Sequence, residues 1–387
     1  MRLTTKKGFL NLIAIGGLAF ALVISSASAY FKSGMHREPD SSLFFKTYPG
    51  LLETRLDGCG VCHLRTMAVL HEQESGTPVS LSVCDSCHRL TDYGRKPVNS
   101  LTAYGLDYLK QGRNAAALAA IDALDSDGDG ASNGVELAAL TNPGDTQSVP
   151  GQKETAYVIL SYDELIKKGV PVVEQTIFFN TARSPGGDSY NDVRGFPLIE
   201  ALEAAGLSEE ATSVDVLTID GYSATFSIAQ LRRKYPQSEP VFGLDKETLG
   251  ECGWVRYESK NLKKGVLLPD AGIVLSFEEN GLRHEPASIG SDGRLNGSGP
   301  FRISAPQLKN PGFPDLPLRA TEECVRKIPE VYRYNRDYEK NGDYNVMAVV
   351  AIRVNPLPSG EIDIHWPQYS KKAIDEKSVV VFGALRR

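Results

Sequence analysis

The sequence predicts a multidomain protein with a small, mostly α-helical N-terminal module and a larger α+β or mainly β C-terminal domain. Three observations lead to this fold class. Two short cysteine and histidine motifs lie between residues 59 and 88, and an acidic loop occupies residues 125–136. Beyond residue 150, short apolar runs alternate with turn residues, which is typical of strands. The 387 residues suffice for about two or three domains.

The composition is that of an ordinary globular chain. Hydrophobic residues make up 41% and charged residues 23% of the sequence, which argues against disordered, fibrous and polytopic membrane proteins. The formal net charge is −6. It becomes more negative once the basic N-terminal residues are removed, so the chain repels polyanions. We therefore expect no nucleic-acid partner.

Residues 1–29 have the features of a signal peptide. Three basic residues precede an apolar run from Phe9 to Ile24, and Ala27 to Ala29 supply the small residues at a cleavage site. The mature chain is expected to begin at Tyr30. The alternative is an uncleaved anchor, and only in that case would we expect membrane association. Either way the chain is exported to the periplasm or the cell exterior, where thiols can be oxidised.

Two motifs, Cys59 to His63 and Cys84 to His88, each have the form Cys-x-x-Cys-His, the signature of covalent c-type haem attachment. The two-residue gap separates the thiols to match the two haem vinyl groups, and the histidine then lies under the iron. Two copies within about 30 residues favour haem over a zinc or redox-disulfide site. The predicted attachment residues are Cys59, Cys62, Cys84 and Cys87, with His63 and His88 as iron ligands.

Two further histidines are the expected axial ligands on the opposite haem faces. His71 is better placed for the second haem, and His36 is then left for the first. Met35 and Met67 compete for these positions, and a methionine ligand would raise the potential. His36 and His71 could instead be solvent-exposed. We expect structural roles for the remaining histidines, His284 and His365.

Residues 125–136 match the pattern D-x-[DN]-x-[DN]-G-x5-E of a calcium loop over its whole length. Gly130 provides the sharp turn, and predicted helices at 115–124 and 133–140 flank the loop. The alternative is a solvated acidic turn. The predicted calcium ligands are Asp125, Asp127, Asp129, the carbonyl of Ala131, Asn133 by way of water, and bidentate Glu136.

The segment from Cys84 to Pro150 contains C-D-S-C-H, L-T-A-Y-G-L-D-Y and D-S-D-G-D-G-A-S-N-G-V-E in that order. This segment resembles exported bacterial cytochromes c in which a haem site is followed by a thrombospondin type 3-like calcium repeat. The resemblance covers about 65 residues. It implies electron transfer, with calcium holding the module together beside the haem.

The C-terminal part is predicted from local patterns. Strands are expected at 157–162 and 176–179, and a helix at 196–205. Hairpins are expected around Asp220-Gly221 and Asn280-Gly281. Two more strands are expected, a long one at 345–354 and a short alternating one at 362–366.

The order of R-G-F-P-L-I-E-A-L, V-D-V-L-T-I-D-G-Y, G-I-V-L-S-F and G-S-G-P-F-R-I is similar to the molybdopterin-binding domain of the sulfite-oxidase type. It is closer still to exported dihaem proteins with a Gly-Glu-Gly-Pro motif after such a domain. Ser298 stands where that motif has glutamate, so any role of the acid is lost. No cysteine stands where a molybdenum ligand is needed, and no basic cluster for a pterin phosphate is evident. We therefore expect no molybdopterin cofactor.

Cys252 and Cys324 lie outside the haem motifs. In an exported protein, an even number of cysteines left after the haem motifs favours a disulfide bond between them. The alternative is that Cys252 is a metal ligand.

These expectations combine into four segments: a signal peptide at 1–29, a dihaem module at 30–110, a helix–calcium loop–helix unit at 111–150, and a molybdopterin-binding-like domain at 151–387. The expected function is electron transfer between redox proteins of the cell envelope rather than catalysis. The alternatives are a molybdenum oxidoreductase with built-in haems, a dihaem peroxidase, and a haem-based sensor or assembly factor.

Overall fold

The structure is a computed structural model, and it describes residues 39–57, 61–62, 101–181, 187–220, 222–290, 295–309, 312–335 and 338–386. The expected signal peptide at 1–29 lies outside these residues. Among the described residues, no helix is both long and apolar enough to cross a membrane.

The N-terminal module is helical. Its helices are α1 (Pro39–Thr47), α2 (Ala103–Lys110), α3 (Ala115–Ile121) and α4 (Asn133–Ala139). Helices α2 and α3 begin at side-chain caps, since Thr102 accepts a hydrogen bond from the Gly105 N–H and Asn114 from the Ala117 N–H. The two helices predicted around the acidic loop are confirmed, with slightly earlier C-terminal ends.

One hydrophobic core joins the two sides of the expected segment boundary at residue 110. Phe44 and Leu51 come from the first helical stretch, Tyr104 from α2, and Leu118 and Leu137 from the helices around the acidic loop. The described haem-motif residues and the loop therefore belong to one packed unit.

The C-terminal domain is built on two larger sheets. Its strands are β1 (Lys153–Glu154), β2 (Tyr157–Ser161), β3 (Val173–Phe179), β4 (Ser189–Pro197), β5 (Ser213–Thr218), β6 (Ser223–Ser227), β7 (Arg256–Tyr257), β8 (Val274–Glu279), β9 (Leu282–Arg283), β10 (Ser288–Ile289), β11 (Leu295–Asn296), β12 (Arg302–Ser304), β13 (Val349–Asn355), β14 (Glu361–Ile362) and β15 (Ser378–Gly383). Its helices are α5 (Tyr162–Lys167), α6 (Leu198–Ala204), α7 (Ile228–Arg232), α8 (Lys246–Leu249), α9 (Glu322–Lys327) and α10 (Trp366–Asp375).

The first sheet has the strand order β2-β15-β13-β5-β6, and only the β13–β15 pair is parallel. Helix α10 makes the crossover between those two parallel strands. The second sheet has the order β12-β8-β4-β3, with β7 added to β4 and β9 added to β8. The pairs β1–β14 and β10–β11 form two separate two-stranded sheets.

The main core contains residues from both sheets, including Phe196 and Leu275 of the second and Val216 of the first. Strand β15 shows how the sequence fits this position. Val379 and Val381 face the main core, whereas Val380 and Phe382 pack with α10 on the other side. Burial on both faces explains the unbroken apolar run of this strand.

Both predicted hairpins are confirmed. Strands β5 and β6 pair in antiparallel register around Asp220, and β8 and β9 pair around Asn280 and Gly281. Asn280 and Gly281 have φ of 52° and 80°, the left-handed conformation that a tight two-residue hairpin requires.

The strand predicted at 362–366 is wrong. Strand β14 ends at Ile362, and α10 begins at Trp366 with proline in its first turn. Proline fits there because the first N–H groups of a helix have no intrahelical partner. The long late strand also starts later than predicted, at Val349, because Asn345 is buried and donates its amide to the Ala305 and Asn341 carbonyls.

The module and the domain meet at the ion pair of Arg55 and Glu154. Arg55 of the module donates to Glu154 of β1 at 2.6 Å, and His365 Nε2 lies 3.2 Å from the same carboxylate. A cleft of about 470 Å³ lies at this junction, with Arg55 on one side and Arg353 on the other. Burial lowers the pKa of both Arg55 and His365.

Cys252 and Cys324 form a disulfide bond with a Cα–Cα distance of 5.2 Å. Both lie in a buried cluster with Trp254 and Tyr190. The bond ties α9 to the segment that precedes β7.

Replacing Cys252 and Cys324 together with alanine should lower the free energy of unfolding by about 4 kcal/mol, because the bond closes a 72-residue separation and restricts the unfolded chain. Denaturant unfolding followed by circular dichroism measures the change. Reductant should lower the stability of the wild-type protein and leave that of the double variant unchanged. Equal stabilities of the two proteins without reductant would contradict this prediction.

Candidate functional site

The first haem motif is described at Val61 and Cys62, where the chain turns towards α2. The other haem residues predicted from the sequence lie outside the described residues: His36, Cys59, His63, His71, Cys84, Cys87 and His88. Their roles stay predictions.

Thr102, the cap of α2, holds the described part of this motif. Its N–H donates to the Cys62 carbonyl at 3.0 Å, and its Oγ1 donates to the Val61 carbonyl at 2.8 Å. Gly105 then allows α2 to approach, since a β-carbon at this position would lie 2.2 Å from the Cys62 carbonyl oxygen. The positions of Val61 and Cys62 are therefore fixed by the first turn of α2.

Aromatic residues pack around the same turn. Tyr104 is fully buried, with its ring centroid 6.3 Å from that of Phe44. The Tyr48 hydroxyl donates to Asp122 Oδ1 at 2.6 Å. Burial and the Asp122 carboxylate raise the pKa of Tyr48, so its phenol is a neutral donor. This bond connects α1 and the residues after it to the end of α3, just before the acidic loop.

Asp125 shapes the acidic loop through its two carboxylate oxygens. Oδ1 accepts from the Gly128 N–H at 2.7 Å, and Oδ2 accepts from the Gly130 N–H at 3.0 Å. Both glycines have positive φ, 83° and 99°, which side chains rarely tolerate. The turn brings carboxylate oxygens of Asp125, Asp127 and Asp129 within 4.8 Å of one another.

Glu136, on α4, lies outside this three-carboxylate group but close enough to feel its charges. Its relative exposure is 0%, and neither of its carboxylate oxygens has a hydrogen-bond partner. Burial, followed by the charges of Asp127, Asp129 and Asp125, raises the pKa of Glu136 to about 8. Buried oxygens without partners are costly, and a divalent cation among the four carboxylates would satisfy them. The donor set therefore fits calcium.

Asn133 and Ala131 are the other two predicted ligands. The Asn133 amide donates to the Ile121 carbonyl at 2.7 Å and to Ser126 Oγ at 2.9 Å, and its Oδ1 accepts from the Ser126 N–H at 3.2 Å. Through these bonds, Asn133 connects the start of the loop to the end of α3. Its ligand role by way of water, and that of the Ala131 carbonyl, stay predictions.

Asp107 is a contact of the loop that sequence reasoning missed. Ser126 Oγ donates to Asp107 Oδ2 at 2.9 Å, which ties the second residue of the loop to α2. No local pattern around Asp107 indicates this bond, because the two residues meet only through the packing of α2 against α3. The same helix therefore contacts both predicted sites.

In the C-terminal domain, Ser298 contacts a buried histidine. Its Oγ lies 3.4 Å from His284 Nδ1, and His284 Nε2 lies 3.2 Å from Ser276 Oγ. Burial and the charges of Arg302 and Arg283 lower the pKa of His284 well below its usual value. A neutral imidazole held by two hydroxyls braces the turn at 297–300.

Asp188 is a buried acid that the sequence did not indicate. It is fully buried, and it accepts from Trp254 Nε1 at 3.2 Å and from the Thr181 N–H at 3.1 Å. Burial, with a contribution from the charge of Asp315, raises the pKa of Asp188 to about 7. Lys340 lies close enough to lower it in part, and is itself paired with Asp315.

No protein-family model matches the chain, and no curated protein matches it at a significant level.

Replacing Glu136 with glutamine keeps the shape of the side chain and removes its charge. We expect calcium to bind about tenfold more weakly or worse, because the bidentate carboxylate is lost. In chelator at pH 7 the variant should melt at a higher temperature than the wild type, because glutamine removes a carboxyl group that must take up a proton to stay buried in the folded protein. Calorimetric titration with Ca²⁺ and thermal unfolding measure the two effects.

The matched control is Asp163→Asn, which removes an exposed acid of α5 and should change neither quantity. If calcium leaves the melting temperature of the wild-type protein unchanged, the loop is only an acidic turn.

The Asp188→Asn variant tests whether the pKa of Asp188 is raised in the folded protein. The folded pKa of Asp188 is raised from 3.8 to about 7, so its contribution to stability is full at low pH and is lost as the pH rises through 7. Asparagine removes this dependence. From pH 5 to pH 8 the wild-type protein should lose about 2 kcal/mol of unfolding free energy more than the variant. The control Glu209→Gln, at an exposed acid, should follow the wild type, and parallel profiles for all three proteins would refute the assignment.

Proposed function

We propose that the chain is an exported dihaem c-type cytochrome that transfers single electrons between redox proteins of the cell envelope. The observation that carries the proposal is the pair of Cys-x-x-Cys-His motifs close together in one chain. Each bound haem would supply a one-electron ferric/ferrous couple. The protein's own residues attach and orient the haems, set their surroundings, and provide a surface for partners.

The residues proposed to hold the haems are Cys59 and Cys62 with His63 and distal His36, and Cys84 and Cys87 with His88 and distal His71. The packing around Cys62 supports this assignment for the first site. Thr102 and Gly105 hold the attachment turn against α2, and fully buried Tyr104 contributes to an apolar wall beside it. A covalently held group needs such a fixed turn if its orientation is to be defined.

Calcium is proposed to stabilise this module. The unpartnered carboxylate of Glu136 beside three aspartates supports the site, and the core shared by α2, α3 and α4 supports the effect on stability. Exported loops of this kind bind calcium weakly and mostly hold structure.

The C-terminal domain is proposed to be a recognition scaffold without a molybdenum cofactor. A molybdenum centre of the sulfite-oxidase type needs a protein thiolate, and the sulfur atoms of Cys252 and Cys324 are bonded to each other. The ion pair of Arg55 and Glu154 links this domain to the proposed haem module. A partner docked on it would therefore stand near the haems.

Metal and cofactor analysis of the full-length protein tests the proposal. We expect two iron atoms per chain as covalent haem, which stays with the polypeptide under denaturing conditions. We expect no molybdenum and no pterin fluorescence after acid oxidation. About one equivalent of pterin would make the protein an enzyme, and the absence of covalent haem would refute the proposal outright.

Axial ligation provides a separate prediction. Both irons should be low-spin and six-coordinate with two histidines, because His36 and His71 flank the attachment motifs. His71→Met should raise one of the two potentials and leave the other unchanged, because a methionine ligand raises the potential. Visible spectra and a mediated redox titration measure this. A high-spin ferrous form that binds carbon monoxide in the wild-type protein would instead favour a peroxidase.

A further inference from the structure

We infer that the side chains of Lys340 and Asp315 form an intramolecular isopeptide bond, a covalent cross-link within the C-terminal domain. The two residues are 25 positions apart in the sequence. The segment between them carries α9 and Cys324 of the disulfide bond. This inference goes beyond the proposed function, because it concerns a modification of the chain itself and requires neither haem nor calcium.

The two reacting groups are in contact and withdrawn from solvent. Lys340 Nζ forms an ion pair with Asp315 Oδ1, and the two side chains are only 9% and 2% exposed. The rings of Tyr334 and Tyr338 lie beside Nζ, with centroids 5.3 and 6.0 Å from it. Two reactants held at contact distance react as one molecule, which greatly raises the rate.

Burial also favours the reactive forms of the two groups. An amine is a nucleophile only when it is neutral, and the carboxyl group reacts with it most readily when protonated. Because a buried ion pair has lost the hydration of both charges, transfer of a proton from Lys340 to Asp315 costs less here than in water. The pair of Lys327 and Glu323 differs in this respect. Its N–O distance is 2.5 Å, but its side chains are 62% and 67% exposed, so water stabilises both charges.

Hydrogen-bond donors contact both carboxyl oxygens of Asp315. Asn180 Nδ2 donates to Oδ1 at 3.3 Å, and the Asn335 N–H donates to Oδ2 at 3.1 Å. When Nζ attacks Cγ, negative charge develops on oxygen, and donors already in place stabilise it. Asn180 Oδ1 is buried and has no hydrogen-bond partner among the described residues. This oxygen is therefore an unused acceptor beside the pair, available for the N–H of the new amide.

Asp188 is a third acid close to the pair. The Thr181 N–H donates to Asp188 Oδ1 at 3.1 Å, and the preceding residue, Asn180, donates to Asp315. The charges of Asp315 and Lys340 both act on Asp188. Burial raises the pKa of Asp188 to about 7, so its protonated form is well populated at neutral pH. A neutral acid in this position can protonate the oxygen that leaves.

The reaction is a condensation and needs no oxidant, reductant or cofactor. Nζ of Lys340 bonds to Cγ of Asp315, and one C–O bond of the carboxyl group breaks. The oxygen leaves as water, and its two protons replace two that the ammonium group gives up. Asp188 donates one proton and recovers one, so it ends as it began.

Peptide mass spectrometry of the full-length protein tests the bond. Trypsin should release residues 310–319, which contain Asp315, and it cleaves after Lys340 only if that side chain is free. We expect instead a branched product in which residues 310–319 are joined to residues 337–353, with the loss of one water molecule. Separate linear peptides would overturn the inference. Loss of ammonia would mean that an amide side chain had reacted in place of Asp315, and would overturn the assignment.

Lys340→Arg keeps the positive charge and removes the amine. The branched peptide should be lost, and the melting temperature should fall because the cross-link no longer restricts the unfolded chain. Lys327→Arg, in the exposed pair, is the matched control and should keep both the branched peptide and the melting temperature. Circular dichroism checks that each variant is folded. An unchanged branched peptide in Lys340→Arg would exclude Lys340 as the partner.

The part played by Asp188 is tested by two substitutions. Asp188→Asn retains an oxygen that can accept from Trp254 and Thr181 but carries no acidic proton, so the yield of branched peptide should fall about tenfold or more. Asp188→Glu restores an acid and should restore the product. A wild-type yield in Asp188→Asn would exclude Asp188 from the reaction. Low yields in both variants, with circular dichroism like that of the wild type, would leave Asp188 a packing role only.

Discussion

The close approach of α2 to the first haem motif is the constraint on which the N-terminal module depends. At Gly105 the helix backbone lies against the Cys62 carbonyl with no space for a side chain, and Thr102 closes the same contact with two hydrogen bonds. Once this helix is placed, Tyr104 is in the core and Asp107 faces the acidic loop. One helix of eight residues therefore sets the relative positions of Cys62 and the acidic loop.

Features that depend on local backbone conformation could be predicted from the sequence. The acidic loop needs left-handed residues at Gly128 and Gly130, and the hairpin after β8 needs them at Asn280 and Gly281. Such positions restrict the residue types that can occupy them, so the pattern is visible in the sequence. The cysteine pair was predictable for a different reason, since few cysteines remain once the haem motifs are assigned.

Features that depend on contacts between distant residues could not be predicted. The alternation from Ile362 to Trp366 is typical of a strand, but the chain leaves the sheet and starts α10 there to cross between β13 and β15. Asp107 and Asp188 gave no local signal either. Their roles follow from Ser126 and Trp254, which the fold brings to them from distant parts of the sequence.

Asp188 and Glu136 are both buried, but their surroundings differ, and the difference bears on function. Asp188 accepts from two N–H groups and lies near Lys340, but burial outweighs these effects, and a single bound proton neutralises it. Glu136 faces three other carboxylates, and one proton cannot remove that repulsion, whereas a divalent cation can. A proton on Asp188 is retained over the acidic half of the pH range and serves the fold. The calcium proposed beside Glu136 would exchange with the medium, since extracellular loops of this type bind calcium in the range of about 0.1 to 1 mM. The acidic loop is therefore the part of the module whose charge depends on the surroundings, and its hydrogen bond to α2 places that change beside the first haem motif.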